Sequence, residues 1–212
     1  MANRTVGVRI NVVARSLNGG VSSSLHFNGA RVIGRLLRLE RGDLLITRVD
    51  GAGLEAALGR VSSEAAVFPT VANRADVAIA ESMKGRGAFE EAEEAFEGVT
   101  ESPNADDRTL AAAWCGLGEC LFRRAETAAA SGDAEGAGPV FNRAQLAFMR
   151  VVVLYPAELA YVPQSAFYAG RCIQELGGEL AKEQSDRLFN FVTRNFRGSR
   201  WSDSARQFRR RN

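Results

Sequence analysis

The spacing of apolar positions changes once along this chain, from a period near two before residue 70 to helical spacing after residue 73. Val6, Val8, Ile10 and Val12 alternate with other residues, as in a strand with one covered face. Leu17-Asn18-Gly19-Gly20 is turn chemistry, and Asn28-Gly29 is a hairpin dipeptide because both residues tolerate positive φ. Residues 21–27, 31–39 and 44–49 are further strand candidates, broken by Glu40-Arg41-Gly42-Asp43 and followed by Asp50-Gly51-Ala52-Gly53. Residues 54–61 fit either a strand or a short helix. Four or five short strands with turns at such close intervals predict a small barrel or curled sheet over residues 1–70.

From about Ala75 the chain turns alanine-rich and repeats itself. Phe-x-x-Val occurs three times on expected helices, as Phe96/Val99, Phe148/Val151 and Phe189/Val192. Gly118 and Gly170 are 52 residues apart, as are Cys120 and Cys172, Phe96 and Phe148, and Val99 and Val151. Four coincident offsets mark an internal repeat. A small residue on one helix admits a close neighbour, and a large apolar residue on the next fills the groove. Stacked helical hairpins are specified in this way. Ala92, Ala95, Phe96 and Val99 share one helix face, and Glu90, Glu91, Glu93, Glu94 and Glu97 are expected as solvated surface on the others.

These residues carry a resemblance to the tetratricopeptide repeat family. Gly87-Ala88-Phe89-Glu90-Glu91-Ala92, Phe96 and Pro103 resemble the turn and second helix of one repeat. Trp114, Leu117 and Gly118 resemble the first helix of the next, and Ala144, Phe148, Val151 and Pro156 its second. Gly170, Phe189, Val192 and Phe196 resemble a third, and Ser199-Arg200-Trp201-Ser202-Asp203-Ser204-Ala205 the opening of a capping helix. The resemblance covers residues 73–212 and is similar to that of bacterial cell-envelope repeat proteins. It departs from the family in Ala80, where glycine is commoner, and in an Ala/Gly-rich insertion over residues 125–138. In the amino-terminal region, residues 24–35 resemble the start of SH3-like or Sm-like barrels, some of which bind RNA and others peptides. The expected fold class is therefore α+β: a small β domain over 1–70, packed as a cap against a solenoid of about three hairpins over 73–212.

Composition narrows the chemistry. Three cysteines, Cys115, Cys120 and Cys172, cannot all pair within the chain, and His26 is the only histidine. No Cys/His ligand spacing, phosphate loop or nucleophile motif is present, so no catalytic residue, metal or cofactor is expected and the chain is read as non-enzymatic. Arg41-Gly42-Asp43 is taken as a tight turn rather than an adhesion motif. No apolar run approaches the roughly 20 residues that span a bilayer. Charge is segregated: net +5 over 1–50, −9 over 51–185 and +6 over 186–212. Such ends steer an anionic partner, support self-association, or serve solubility alone. The acid-free first 39 residues fit a strand or a targeting segment, which leaves bacterial envelope and cytoplasm both open.

The family resemblance implies a scaffold or structural subunit that binds other protein subunits or a peptide on the concave face of its first helices. Transferred residue by residue, that face would hold Glu81 and Lys84, then Glu119, Phe122 and Arg123, then Gln164, Phe167, Arg171 and Gln174. Phe122 and Phe167 would be apolar anchors, or would pack the neighbouring helix instead. Arg123 and Arg171 would hold a carboxylate. The alternative is nucleic-acid binding through the basic β domain and the tail bearing Arg206, Arg209, Arg210 and Arg211, where arginine and Phe208 contact phosphate and stack on bases.

Overall fold

The structure is a computed structural model. It describes five backbone strand segments between residues 11 and 46, residues 58, 59 and 63, and residues 69–211; side chains are placed at 58, 59, 63 and 69–209.

The strands β1 (Asn11–Leu17), β2 (Gly20–Phe27) and β3 (Ala30–Gly34) form one antiparallel set, and β4 (Leu36–Glu40) and β5 (Asp43–Ile46) another. Among the described residues these are two sheets, one of three strands and one of two. The expected α+β class is corrected: the described residues from 58 to 209 are helical wherever they have regular structure, and no strand is found among them. The choice between strand and targeting segment for the first ten residues lies outside the described residues. Leu58, in the ambiguous 54–61 stretch, is helical and buried against Ala75, Ala78 and Ile79.

Seven helices follow among the described residues: α1 (Pro69–Gly85), α2 (Phe89–Thr100), α3 (Asp107–Ala130), α4 (Ala134–Leu154), α5 (Val162–Leu176), α6 (Ala181–Asn195) and α7 (Arg200–Arg211). Local chemistry sets their ends. Asp106 caps α3 by accepting from the Thr109 amide at 2.8 Å, and Asp133 caps α4 by accepting from the Gly136 amide at 2.8 Å. Asp106 also takes the Arg74 guanidinium of α1 at 2.7 Å. That pairing and the two Thr109 hydrogen bonds hold its carboxyl below the usual range, although partial burial pushes the other way. Gly132, at φ +88°, turns the chain between α3 and α4, a backbone conformation that suits glycine. The expected insertion appears as length: α3 and α4 run to 24 and 21 residues, against 17 and 12 for α1 and α2.

Each helix packs on the next, and α1, α3, α5 and α7 also contact one another in series. The body is a helical-repeat-like bundle, loosely an α-solenoid, with α1, α3, α5 and α7 as one layer and α2, α4 and α6 as the other. Glycine governs the spacing. A methyl group built on Gly118 would lie 2.7 Å from the Phe148 ring, and one on Gly170 would lie 2.7 Å from the Phe189 ring. Gly116 receives Phe96 of the preceding hairpin in the same way. All three phenylalanines are fully buried, and Val99, Val151 and Val192 lie beside them in the core. Phe148 also stacks on Tyr168 of α5, with ring centroids 5.4 Å apart. Each repeated phenylalanine therefore fits a glycine on one side and an aromatic or helical neighbour on the other.

One acidic residue departs from the expectation of a solvated cluster. Glu93 is only 5% exposed, its carboxylate held by Arg124 of α3 and, at 3.0 Å, by Arg143 of α4. Arg143 also reaches Glu97 at 2.9 Å. The reason is position: Phe89, Glu93, Phe96 and Thr100 form their own i, i+4, i+7, i+11 stripe along the covered edge of α2.

Two contrasts check this packing by urea unfolding. Gly118→Ala is expected to cost about 1–3 kcal/mol because the buried Phe148 ring has nowhere to move. Gly98→Ala, on the exposed side of α2 with open space around it, is expected to gain about 0.5–1 kcal/mol. Glu93→Gln should cost about 1–3 kcal/mol, leaving two guanidiniums short of a carboxylate. Glu91→Gln, whose partner Arg86 is exposed, should stay within about 0.5 kcal/mol.

Candidate functional site

The inner helices bound a cleft of about 440 Å³. Its walls come from Val77, Glu81 and Lys84 of α1, Ala112, Cys115 and Glu119 of α3, Gln164 and Tyr168 of α5, Tyr161 before it, and Arg200 and Trp201 of α7. Helical periodicity delivers these groups to one side: Val77, Glu81 and Lys84 lie at i, i+4 and i+7, and Ala112, Cys115 and Glu119 at i, i+3 and i+7.

The floor is a ladder of polar contacts that runs across the three first helices. Lys84 Nζ lies 2.8 Å from Glu81 and 3.1 Å from Glu119. Glu119 in turn accepts from the Gln164 amide on α5. Burial alone would push the Lys84 ammonium towards neutrality, but the two carboxylates outweigh it and hold its pKa above the usual lysine value. The Lys84 ammonium thus stays charged through neutral pH, and the stability it contributes is lost as pH rises through that raised value.

A second rung lies two turns further along α3. Glu126 takes Arg123 of its own helix at 2.9 Å and Arg171 of α5 at 2.9 Å. Arg171 also lies over the Phe122 and Phe208 rings, 4.6 and 5.2 Å from their centroids.

Of the nine residues expected on the concave face, the structure lines the cleft with Glu81, Lys84, Glu119 and Gln164, gathers Arg123 and Arg171 at Glu126 outside the cleft walls, and turns Gln174, at the far end of α5, to Ser185 Oγ of α6, to which it donates at 3.0 Å. It removes two. Phe122 has no exposed surface and meets Phe141 and Tyr168, so it is core and not an anchor. Phe167 is 7% exposed because α7 covers it: Trp201 and Phe208 lie 5.7 and 6.2 Å away, and Phe189 of α6 lies at 5.9 Å. The carboxylate expected for Arg123 and Arg171 is supplied from within the chain, by Glu126.

The tail is likewise engaged. Arg209 reaches Asp186 at 2.9 Å and Asn190 at 2.7 Å on α6, and Arg206 pairs with Asp203 at 3.1 Å. The side chains of Arg210 and Arg211 lie outside the described residues.

Among the cleft residues that sequence reasoning missed are three aromatics, Tyr161, Tyr168 and Trp201. Burial raises both tyrosine pKa values, so each keeps its phenolic proton. Their signal was present: Tyr161, Gln164, Tyr168 and Arg171 form an i, i+3, i+7, i+10 stripe. Trp201 faces the cleft only because α7 folds back onto α5.

Cys115 borders the cleft but is a poor nucleophile. Desolvation pushes its thiol and that of Cys120 up to about 12, and Cys172 is raised as well. All three cysteines are free and buried. Among the described residues no group of side chains is arranged to hold a metal ion. Comparison with family models, with curated proteins and with solved structures returns no match.

Thiol burial has a direct check. At pH 8 the folded chain should react negligibly with Ellman's reagent, and in guanidinium it should release all three thiols. Because unfolded thiols ionise near about pH 8.5 and the folded ones do not, the unfolded state binds fewer protons above that pH. Stability should fall as pH rises from there towards 12; a flat profile between pH 8 and 11 would contradict the burial.

Proposed function

We propose that the chain is a non-enzymatic interaction subunit of the tetratricopeptide repeat kind, binding a peptide or partner domain in the cleft between its first helices. The observation that carries the reading is the cleft itself: four helices from successive hairpins converge on it, and its lining mixes three aromatic side chains with a preorganised ladder of charge. Tyrosine and tryptophan offer large contact area at low entropic cost, which suits them to recognition surfaces. Against catalysis stand the high thiol pKa values and the pairing of the cleft's carboxylates with Lys84 and Gln164. The tail offers less to a nucleic acid than its composition suggested, since Arg206 and Arg209 already hold internal partners. No helix among the described residues is long and apolar enough to cross a membrane.

The test is affinity capture from the source organism's lysate, with and without nuclease, followed by mass spectrometry. A defined set of proteins should be retained regardless of nuclease. Ala112→Trp, which fills the cleft, should abolish their retention, provided its circular dichroism and melting match the parent. Leu146→Ser, on the exposed side of α4, should leave it unchanged. Retention that collapses with nuclease, or that survives cleft filling, would overturn the reading.

A further inference from the structure

The two rungs of the inner layer carry opposite charge imbalances. Between α1 and α3, two carboxylates (Glu81 and Glu119) share one ammonium, Lys84. Between α3 and α5, two guanidiniums (Arg123 and Arg171) share one carboxylate, Glu126. Each rung is internally paired, so neither collapses, yet one is left an acid in excess and the other a base in excess. Arg200, stacked on Trp201 at 4.4 Å, adds a further cation on the α7 side. The Arg171 Nε, moreover, is buried without any acceptor. On α3 the two centres are Glu119 and Glu126, seven residues apart, which is about 10 Å along a helix.

We infer that the partner of this face is an extended segment bearing one basic and one acidic side chain. The basic group lies over the Glu81–Glu119 corner of the cleft, and the acidic group towards Arg200 on its α7 wall and the Arg123–Arg171 pair beyond that wall. This rests on the cleft being the binding site. Charge complementarity selects against like-charged segments because each would place one group against its own sign. An extended chain advances about 3.3 Å per residue and alternates its side chains. Side chains on one face two or four positions apart are then about 7 or 13 Å apart, bracketing the separation of the two centres. A segment of uniform charge, including a nucleic-acid strand, satisfies one rung and opposes the other.

Selection of a phage-displayed library of random twelve-residue peptides on the full chain tests this, repeated on the double variant Glu81→Gln/Arg123→Gln. Both residues are about half exposed (47% and 53%), so their loss leaves the core intact. The expected result is at least tenfold enrichment of peptides with one basic and one acidic residue two or four positions apart, and disappearance of that pattern on the variant. Peptides enriched without the pattern, or with the same pattern on the variant, would overturn the inference. If those peptides still fail to bind Ala112→Trp, the cleft reading itself survives. Absence of any enriched peptide would overturn both.

Discussion

Everything in the helical body depends on three glycines that let phenylalanine rings lie against helix backbone. At Gly116, Gly118 and Gly170 there is no room for a methyl group, and the rings that occupy the space are fully buried. The spacing this enforces is what allows α3 and α5 to stand side by side, each with its second helix pressed behind it. If the contact were looser, Lys84 could not reach Glu119, nor could Arg171 reach Glu126. The cleft is thus a consequence of packing two residues away from it: Gly116 and Gly118 flank the same turn of α3 that carries Cys115 and Glu119. Interiors are close-packed and transmit such constraints over short distances.

Two electrostatic arrangements do different work on this frame. Glu93, nearly buried, pins α2 to α3 and α4 through Arg124 and Arg143. Removing one partner there strands buried charge, so its role is to fix the geometry of the first two hairpins. The inner-layer rungs are partly exposed, and pairs of that kind contribute little to stability. Their consequence is orientation: each rung holds its side chains in place before a partner arrives, so that less entropy is lost on binding. The proposed function lives on that second arrangement.

Much of the helical body was legible in the sequence, and the reason is local. The Phe-x-x-Val pairs and the glycines 52 residues apart report contacts within a hairpin and between adjacent hairpins, where helical periodicity alone decides which residues meet. The positions expected along the inner faces of α1, α3 and α5 came from the family resemblance, transferred residue by residue. What failed was long range. Phe167 looked like a concave-face anchor because nothing in its own helix shows that α7 returns to cover it with Trp201 and Phe208. Phe122 sits one residue from Arg123, and that single step turns a side chain from the exposed edge to the core. Glu93 was hidden in a run of acids whose other members are solvated; its partners lie 31 and 50 residues away.

The central claim is that partners bind the face lined by α1, α3 and α5. A photo-crosslinking residue separates that face from the rest most directly. Benzoylphenylalanine would be placed at position 81, beside the cleft, or at position 146, on the exposed side of α4, and the chain irradiated in cells of its source organism. The account requires discrete protein adducts from position 81 and none from position 146. Adducts from position 146 alone, or equal yields from both, would place the interaction elsewhere and contradict it.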